Sequence, residues 1–528
     1  MKMRLLLLLL LTLVGGWQRF QAISFGLPDG FYRPDEEYVV YPAMGFQNDW
    51  NPRFAIYPAL QMYVQHAALR GQSVVAGEGD DFRGWMRGRT VADSYLSGRA
   101  VSASFGTATI PAIYWAAAPA FGPVAALTAA AATTFSTIHV RESKYATTDA
   151  AATFWLTLAL GAMLRVIIDG RLRWSVLGGA LTGLAIATKY PAGSVLAGFA
   201  VAHVGARWRE GRSLWRVFRD IRPWTTLWCA LAVAMAATPY LLIDWERTLR
   251  DFEFQRGFVE TGVGNHFGGW GWDWFLFKVM PDSFGPELAV AIAIACLAVF
   301  LRPRAGTLSL FAFLAVALLG ITSSRYAFYR YVMVPLPAFM MLLGIMVGDL
   351  HAVTRRHVPQ ALATAGIFLL VTTLLVPCAI RDYKLNRLLG RRDTRTIARQ
   401  WIETNIPAGA KIALTDHGTP YGKPQLARRL RYDYVPVREP GSLTRRNVRW
   451  VLSDSDTLPF YSRGPTEDEA AWLESHAILR FEVDPNKPGT PEPVFDQADA
   501  FYVPLRHASS VKRPGPRIRI WEIPDRQP

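Results

Sequence analysis

The chain is poor in cysteine, in charge and in glycosylation sites, and each shortage narrows what it can be. Cysteine occurs three times in 528 residues, at Cys229, Cys296 and Cys378. All three sit inside apolar runs, where a thiol behaves as a small hydrophobe, so no disulfide framework is implied. There is no Asn-x-Ser/Thr sequon, no internal repeat and no low-complexity tract, which together with many arginines and few lysines leans towards a bacterial source. Charged residues make up only 19% of the chain against 51% hydrophobic, and the mean hydropathy of +0.14 averages a very apolar portion with an ordinary polar one. That balance is a membrane protein's rather than a soluble enzyme's. A net charge of +15 would suit nucleic acid, but Arg207, Arg209, Arg212, Arg216, Arg219 and Arg222 crowd one short stretch between two apolar segments. A cytoplasmic loop under the positive-inside rule accounts for them, and no nucleic-acid partner is expected.

What the chain does have is long apolar runs. The leader "MKMRLLLLLLLTLVGG" has the basic start and leucine run of a signal peptide. No small-x-small cleavage site follows closely, so it reads as an uncleaved first helix. Further apolar segments follow near 99–118, 121–138, 150–168, 175–188, 191–206, 224–242, 287–301, 306–322, 331–349 and 358–380. With the leader they make about eleven spans at the usual span length. Starting inside, alternation puts Arg171 and Arg173, the six-arginine loop, Arg302 and Arg304, and Arg355 and Arg356 all in the cytoplasm. The segments at 175–188 and 191–206 are short and broken by "TKYP", as expected of two short helices dipping in from opposite sides.

After residue 380 the character changes. A polar, helix-periodic stretch turns at Pro407 and Gly409 into a strand-like "KIALT". The expected organisation is therefore a transmembrane domain over 1–380 and a soluble α/β domain over 381–528, which the odd span count places outside the cytoplasm.

The polar chemistry of the first domain collects on that same outer side. Asp35, Glu36 and Glu37 follow the first span, Asp149 opens the fourth, and His266 lies in the external "GVGNHFGGWGWDW". Span interiors are almost free of ionisable residues, His203 excepted. A conduit for polar cargo needs partners near the middle of the membrane. Chemistry at one face instead suits an enzyme of the lipid–water boundary. Arg141, Lys144, Lys189, Arg325 and Arg330 also lie outside, against the topogenic rule. Anchoring to lipid headgroups is one reason for them; a site for an anionic group, gripped by planar arginine and by lysine, is the other. Asp149 also suits a helix start, His266 also reads as an ordinary loop residue, and Trp270, Trp272 and Trp274 read as an interfacial aromatic belt.

At "YRPDEEYVVYPAMGFQNDWNPRFAIYPALQMYV" the chain resembles the first external loop of the GT-C glycosyltransferases of the protein mannosyltransferase and aminoarabinose transferase type. Their Asp-Glu pair soon after the first span corresponds to Asp35 and Glu36, and the run that follows to Asp49, Pro52, Tyr57, Pro58 and Leu60. "RESKYATTDAAATFW" resembles their second acidic motif, ending in Asp149, and "RYAFYRYVMVPLPAF" their late Arg-Tyr segment. The resemblance covers about residues 1 to 350. The chain departs from the pattern at Tyr57, where some relatives carry lysine, so no phosphate role carries over to that position. The C-terminal domain matches no family by its motifs.

The resemblance implies a polytopic α-helical membrane protein of GT-C type. Its implied reaction moves a sugar from a polyprenyl-phosphate donor to a protein, lipid or glycan acceptor at the external face of a bacterial inner membrane. An inverting single displacement needs one base and no enzyme nucleophile. Asp35 is the expected general base, with Glu36 positioning the acceptor or tuning the base. Asp149, Lys189, His266, Arg325 and Arg330 are the expected substrate contacts, Arg330 first among those for phosphate. A divalent ion bridging carboxylates and phosphate stays open, since no metal-ligand spacing demands one. A glycolipid transporter or flippase and a noncatalytic membrane scaffold are the alternatives.

Overall fold

The computed structural model describes residues 2–30, 32–209, 219–261, 271–325, 327–415, 420–426, 430–437, 443, 448–458 and 461–524. By contacts the chain divides into two units: Met1–Ile23 with Glu36–Tyr383, and Ser24–Asp35 with Lys384–Pro528. The stretch Ser24–Asp35 therefore groups with the C-terminal unit, although the expected division assigned it to the N-terminal domain.

The first unit is helical. Its opening elements are α1 (Lys2–Phe20), α2 (Glu37–Gly45), α3 (Leu60–Val75), α4 (Phe82–Arg87), α5 (Val91–Thr134), α6 (Thr137–Glu142), α7 (Asp149–Asp169), α8 (Leu172–Thr188) and α9 (Val195–Arg209). Helices Ile221–Ala237, Trp245–Thr261, Pro286–Phe300, Ala305–Ser323, Leu336–Thr354 and Gln360–Leu389 follow. Among the described residues six helices are long and apolar enough to cross a membrane, and three further apolar helices are shorter.

α5 carries two of the expected segments. It starts at a capping box in which Asp93 N–H donates to the Thr90 hydroxyl at 3.3 Å while Thr90 N–H donates to the Asp93 carboxylate at 2.8 Å. At Gly122 the backbone leaves helical geometry, at φ 83° between Pro119 and Pro123. A glycine tolerates that φ and the prolines disfavour helix continuation. The chain reverses there. Arg99 donates to the Ile23 carbonyl at 2.9 Å, and Arg19 donates to the Thr133 carbonyl at 2.9 Å. A continuous helix would hold residues 99 and 133 about 50 Å apart, whereas Arg19 and Ile23 can be separated by at most about 14 Å.

α7 and α8 form a second hairpin. Gly170 ends α7 at φ 60°, the left-handed position that closes helices without a Cβ penalty. α8 then runs back until Lys189, and the "TKYP" break is a 3-10 turn over Tyr190–Ser194 before α9 begins. Close approach is possible because Gly179 faces the Thr226 carbonyl and Gly183 the Ala230 carbonyl, where an added Cβ would lie at 2.5 and 2.6 Å.

The second unit is α/β. Strands β1 (Lys411–Leu414), β2 (Asp433–Pro436), β3 (Trp450–Ser455), β4 (Ile478–Val483) and β5 (Arg517–Glu522) make one sheet in the order β2-β1-β3-β5-β4. The β1–β2 and β1–β3 pairs are parallel; β5 is antiparallel to both β3 and β4. Side chains alternate across the sheet. Ile412, Leu414, Leu452, Ile518 and Ile520 pack on Ala398 and Ile402 of the helix Thr394–Asn405. Ala413, Val451 and Trp521 pack on Leu473 of the helix Glu467–His476. Within the same unit Tyr32 donates to Asp29 at 2.9 Å, Asp29 pairs with Arg399, and buried Arg33 donates to Asp499 at 2.8 Å.

Candidate active site

The carboxylate cluster after α1 is not one solvated group. Glu36 is fully buried in the first unit, where Arg99 Nε meets its Oε1 and Arg99 Nη2 its Oε2, both at 2.7 Å. The backbone N–H of Ala146 adds a third bond to Oε1 at 2.8 Å. Three charge-assisted bonds make Glu36 an anchor, with little left to offer an incoming ligand. Asp35, one residue earlier, is partly exposed and sits at φ 72°, the left-handed region that aspartate enters more readily than most residues. Strained backbone of this kind persists where the surroundings over-determine it. Its neighbours Arg33 and Glu36 are each buried in polar contacts, with Asp499 and with Arg99.

Ala146 belongs to the loop between α6 and α7, and three residues later that loop ends in Asp149. Their Cα atoms are therefore at most about 11 Å apart, which brings the Glu36 anchor and the second acidic motif into one neighbourhood. Asp149 is buried at the first turn of α7 and pairs with Lys189, the residue that ends α8. The hairpin of α7 and α8 makes this pair across 40 residues of sequence. Lys189 Nζ also lies 5.2 Å from the centre of the Tyr331 ring. Thr153, one turn into α7, shares its hydroxyl proton between the Asp149 carbonyl at 2.9 Å and the Met333 carbonyl at 3.1 Å, which brings the late Arg-Tyr segment against the same helix.

That segment is a 3-10 turn over Tyr329–Met333 ahead of the helix Leu336–Thr354, which begins at Pro335 and Pro337, the first-turn positions where proline is tolerated. Arg330 is buried in it, its guanidinium 4.2 Å from the Phe328 ring centre. The next residue after Lys189 reaches the other way: the Tyr190 hydroxyl donates to the Ala55 carbonyl of the loop between α2 and α3 at 2.8 Å. Burial, and then the Asp251 carboxylate, push the Tyr190 phenol well up, so it stays a protonated donor. Asp251 in turn accepts from Ala55 N–H at 2.7 Å.

The geometry thus joins Glu36, Asp149, Lys189 and the segment holding Arg330. Arg325 is exposed, and its backbone N–H donates to the Val259 carbonyl at 3.1 Å. His266 lies outside the described residues. Lys144, a further cation that the sequence was expected to place outside, donates to the Gln21 carbonyl at 2.8 Å and to the Gln18 carbonyl, where it caps the C-terminal end of α1. Sequence reasoning missed Arg99 as the partner of Glu36. Its signal was an arginine within the first turns of a long apolar helix. It also missed Asp282, which accepts from the Tyr329 hydroxyl at 3.1 Å. Among the described residues no group of three or more His, Cys, Asp or Glu side chains gathers as a metal centre.

Chemically, the arrangement offers buried cations beside a charge-compensated carboxylate. Lys189 has three ammonium donors and Asp149 engages one face of it, leaving donors for an anion.

Residues 90–242 match the model of a family described as dolichyl-phosphate-mannose-protein mannosyltransferase. No curated protein matches the chain. Among solved structures it resembles ArnT from Cupriavidus metallidurans in the apo state, with a TM-score of 0.53 and 15% identity over 98% of this chain and 97% of that one. The same protein bound to undecaprenyl phosphate gives a TM-score of 0.51 and 16% identity over the same shares of the two chains. The Archaeoglobus fulgidus oligosaccharyltransferase in its apo form gives 0.51 and 12%, covering 91% of this chain and 73% of that one. At such identities the shared property is the fold. The chain is an integral membrane protein with the fold of the GT-C glycosyltransferases.

Proposed function

We propose, with the GT-C fold as premise, that this chain is a glycosyltransferase that moves a sugar from a polyprenyl-phosphate donor to a protein, lipid or glycan acceptor. The observation that carries the reading is the convergence of Glu36, Asp149, Lys189 and the Arg330 segment, four separate stretches of sequence, within a unit of that fold. The match of residues 90–242 to a mannosyltransferase family supports the reaction class, and the undecaprenyl phosphate bound to ArnT supports the class of donor.

The reaction is an inverting displacement at the anomeric carbon. Asp35 takes the proton of the acceptor hydroxyl or amine as its heteroatom bonds to that carbon. The bond from the carbon to the donor phosphate oxygen breaks, and the polyprenyl phosphate leaves with the bonding pair. Because the leaving group is already a phosphate anion, stabilisation of its growing charge matters more than acid help. Arg330 and Lys189 supply that stabilisation. Asp149 keeps Lys189 aimed, and Glu36, clamped by Arg99, fixes the backbone on which Asp35 stands. The site and the second unit face outwards from a bacterial inner membrane, as the four basic clusters on the opposite side support.

The test is turnover of a short-chain polyprenyl-phosphate sugar by the purified chain. Asp35→Asn keeps size and hydrogen bonding and removes basicity, so turnover drops about a hundredfold or more. Near-normal turnover in that variant moves the base elsewhere, with Asp149 next. No transfer by the intact chain from any sugar-loaded carrier defeats the reading.

A further inference from the structure

Between the segment 262–270 and the helix Pro286–Phe300 the chain does something unusual for its length. Trp274 leads into a π-helical turn over Phe275–Val279, followed by one α-turn, Met280–Phe284, and a reversal at Gly285 with φ 83°. A π-turn inside a helical run costs hydrogen-bond geometry and recurs where a side chain has to be re-aimed. Here two side chains flanking it converge on one residue. Trp274 packs edge-on against Tyr329 at 5.7 Å, and buried Asp282 accepts the Tyr329 hydroxyl at 3.1 Å. Tyr329 is itself buried and opens the 3-10 turn that carries Arg330 and Tyr331. A turn of five residues has few internal bonds to hold its own shape. Its two ends are instead held from outside, by Asp282 at Tyr329 and at Met333 by Thr153, whose one hydroxyl proton is shared with the Asp149 carbonyl.

We infer that Asp282 is a positioning residue of the anion site, acting through the Tyr329 hydroxyl to set Arg330 and Tyr331 at the donor phosphate. The inference rests on the proposed function and adds a residue that neither the external acidic motifs nor the Arg-Tyr segment contains. Asp282 touches no substrate. Its carboxylate holds the first residue of the turn, and the orientation of the next residue follows because Thr153 holds the other end. Loss of the Asp282–Tyr329 bond through the Tyr329 hydroxyl leaves the charges in place and loosens the turn at one end, so anion affinity falls.

The experiment titrates the purified full-length chain in detergent with undecaprenyl phosphate, by intrinsic fluorescence, alongside its thermal unfolding midpoint. Tyr329→Phe removes a single hydroxyl and carries the test even where Asp282→Ala does not fold. Each is expected to weaken binding about tenfold, as when only about a tenth of the loosened turns hold the competent orientation. Asp282→Asn keeps an oxygen acceptor and is expected to bind within about threefold of the parent. The double variant Asp282→Ala/Tyr329→Phe is expected to be no weaker than the weaker single, because both remove one bond. Parent-like binding by Tyr329→Phe overturns the inference, as does a multiplicative loss in the double variant or an Asn variant as weak as Ala. Arg330→Lys separates the two readings. If it binds weakly while Tyr329→Phe binds normally, the phosphate role stands and the positioning role falls; if Arg330→Lys also binds normally, the phosphate site itself is wrong.

Discussion

Arg99 closes both of its facing donors on the two oxygens of Glu36 at 2.7 Å, and neither side chain reaches solvent. The pair joins the start of α5 to the residue before α2, and through Ala146 it reaches the loop that leads to Asp149. A buried pair of this kind gains little over an apolar replacement, yet losing one partner strands a charge. Arg99→Ala is therefore expected to cost about 3 to 5 kcal/mol of stability, read as a lower unfolding midpoint in detergent. Arg99→Lys should recover only part of it, because an ammonium cannot bond both carboxylate oxygens in the same plane. A fully stable Arg99→Ala chain would show that the clamp is dispensable.

Asp149 and Lys189 invite a double-mutant cycle. Each partner alone leaves a buried charge uncompensated, so Asp149→Ala and Lys189→Ala should each reduce both stability and turnover. The double variant should be more stable than the sum of the singles predicts, by roughly 0.5 to 3 kcal/mol of coupling. Turnover should not recover with it, since the cation for the phosphate is gone. Recovery of both quantities together would reduce the pair to a structural tie.

The orientation of the site is tested by labelling. In a background lacking Cys229, Cys296 and Cys378, single cysteines replacing Tyr38 and Trp50, both exposed, should react with an impermeant thiol reagent added from outside, once any outer membrane is opened. Cysteines at Arg171 and Arg355 should react only after the inner membrane is breached. Reversal of that pattern would place the whole site in the cytoplasm and remove the proposed reaction.

Much of this architecture could be read from the sequence because its signals are local. Runs such as that of α7 are apolar for the length of a span, and the turn residues Pro407 and Gly409 do stand before β1. "TKYP" broke the helix where it was expected to, because Lys189 leaves helical geometry and Pro191 follows. The candidate site was legible only as a set of residue types that the alternation of apolar segments assigns to one side. Pairings such as Glu36 with Arg99 and Asp149 with Lys189 join residues 63 and 40 positions apart, and nothing in a local pattern encodes a partner that distant. The clamp on Glu36 was illegible for the same reason: an acid beside Asp35 shows no partner in a local pattern. The grouping of Ser24–Asp35 with the second unit was equally invisible, since it depends on Asp29 meeting Arg399 and Arg33 meeting Asp499.

His66 supplies a pH dependence whose sign follows from its surroundings. On α3 it is buried, with Nδ1 2.8 Å from the Ala43 carbonyl of α2 and its ring edge-on to Phe46, Trp50 and Phe82. Burial among these rings holds its pKa below the usual 6.5, and Arg70 adds a smaller push the same way against the opposing bond to Ala43. The unfolded chain therefore takes up a proton near 6.5 that the folded chain still refuses. Stability from a neutral, packed His66 is fully present above that value and is lost as pH falls through it towards the lower folded pKa. Hydrogen exchange of the amides of α2 should accelerate between about pH 7 and pH 5 in the parent chain, relative to α7 in the same molecule. His66→Gln keeps a donor for the Ala43 carbonyl and cannot take up a proton, so it should flatten that dependence at some cost in packing. A parent profile as flat as the variant's would mean that His66 is free to titrate, and that the aromatic box does not close around it.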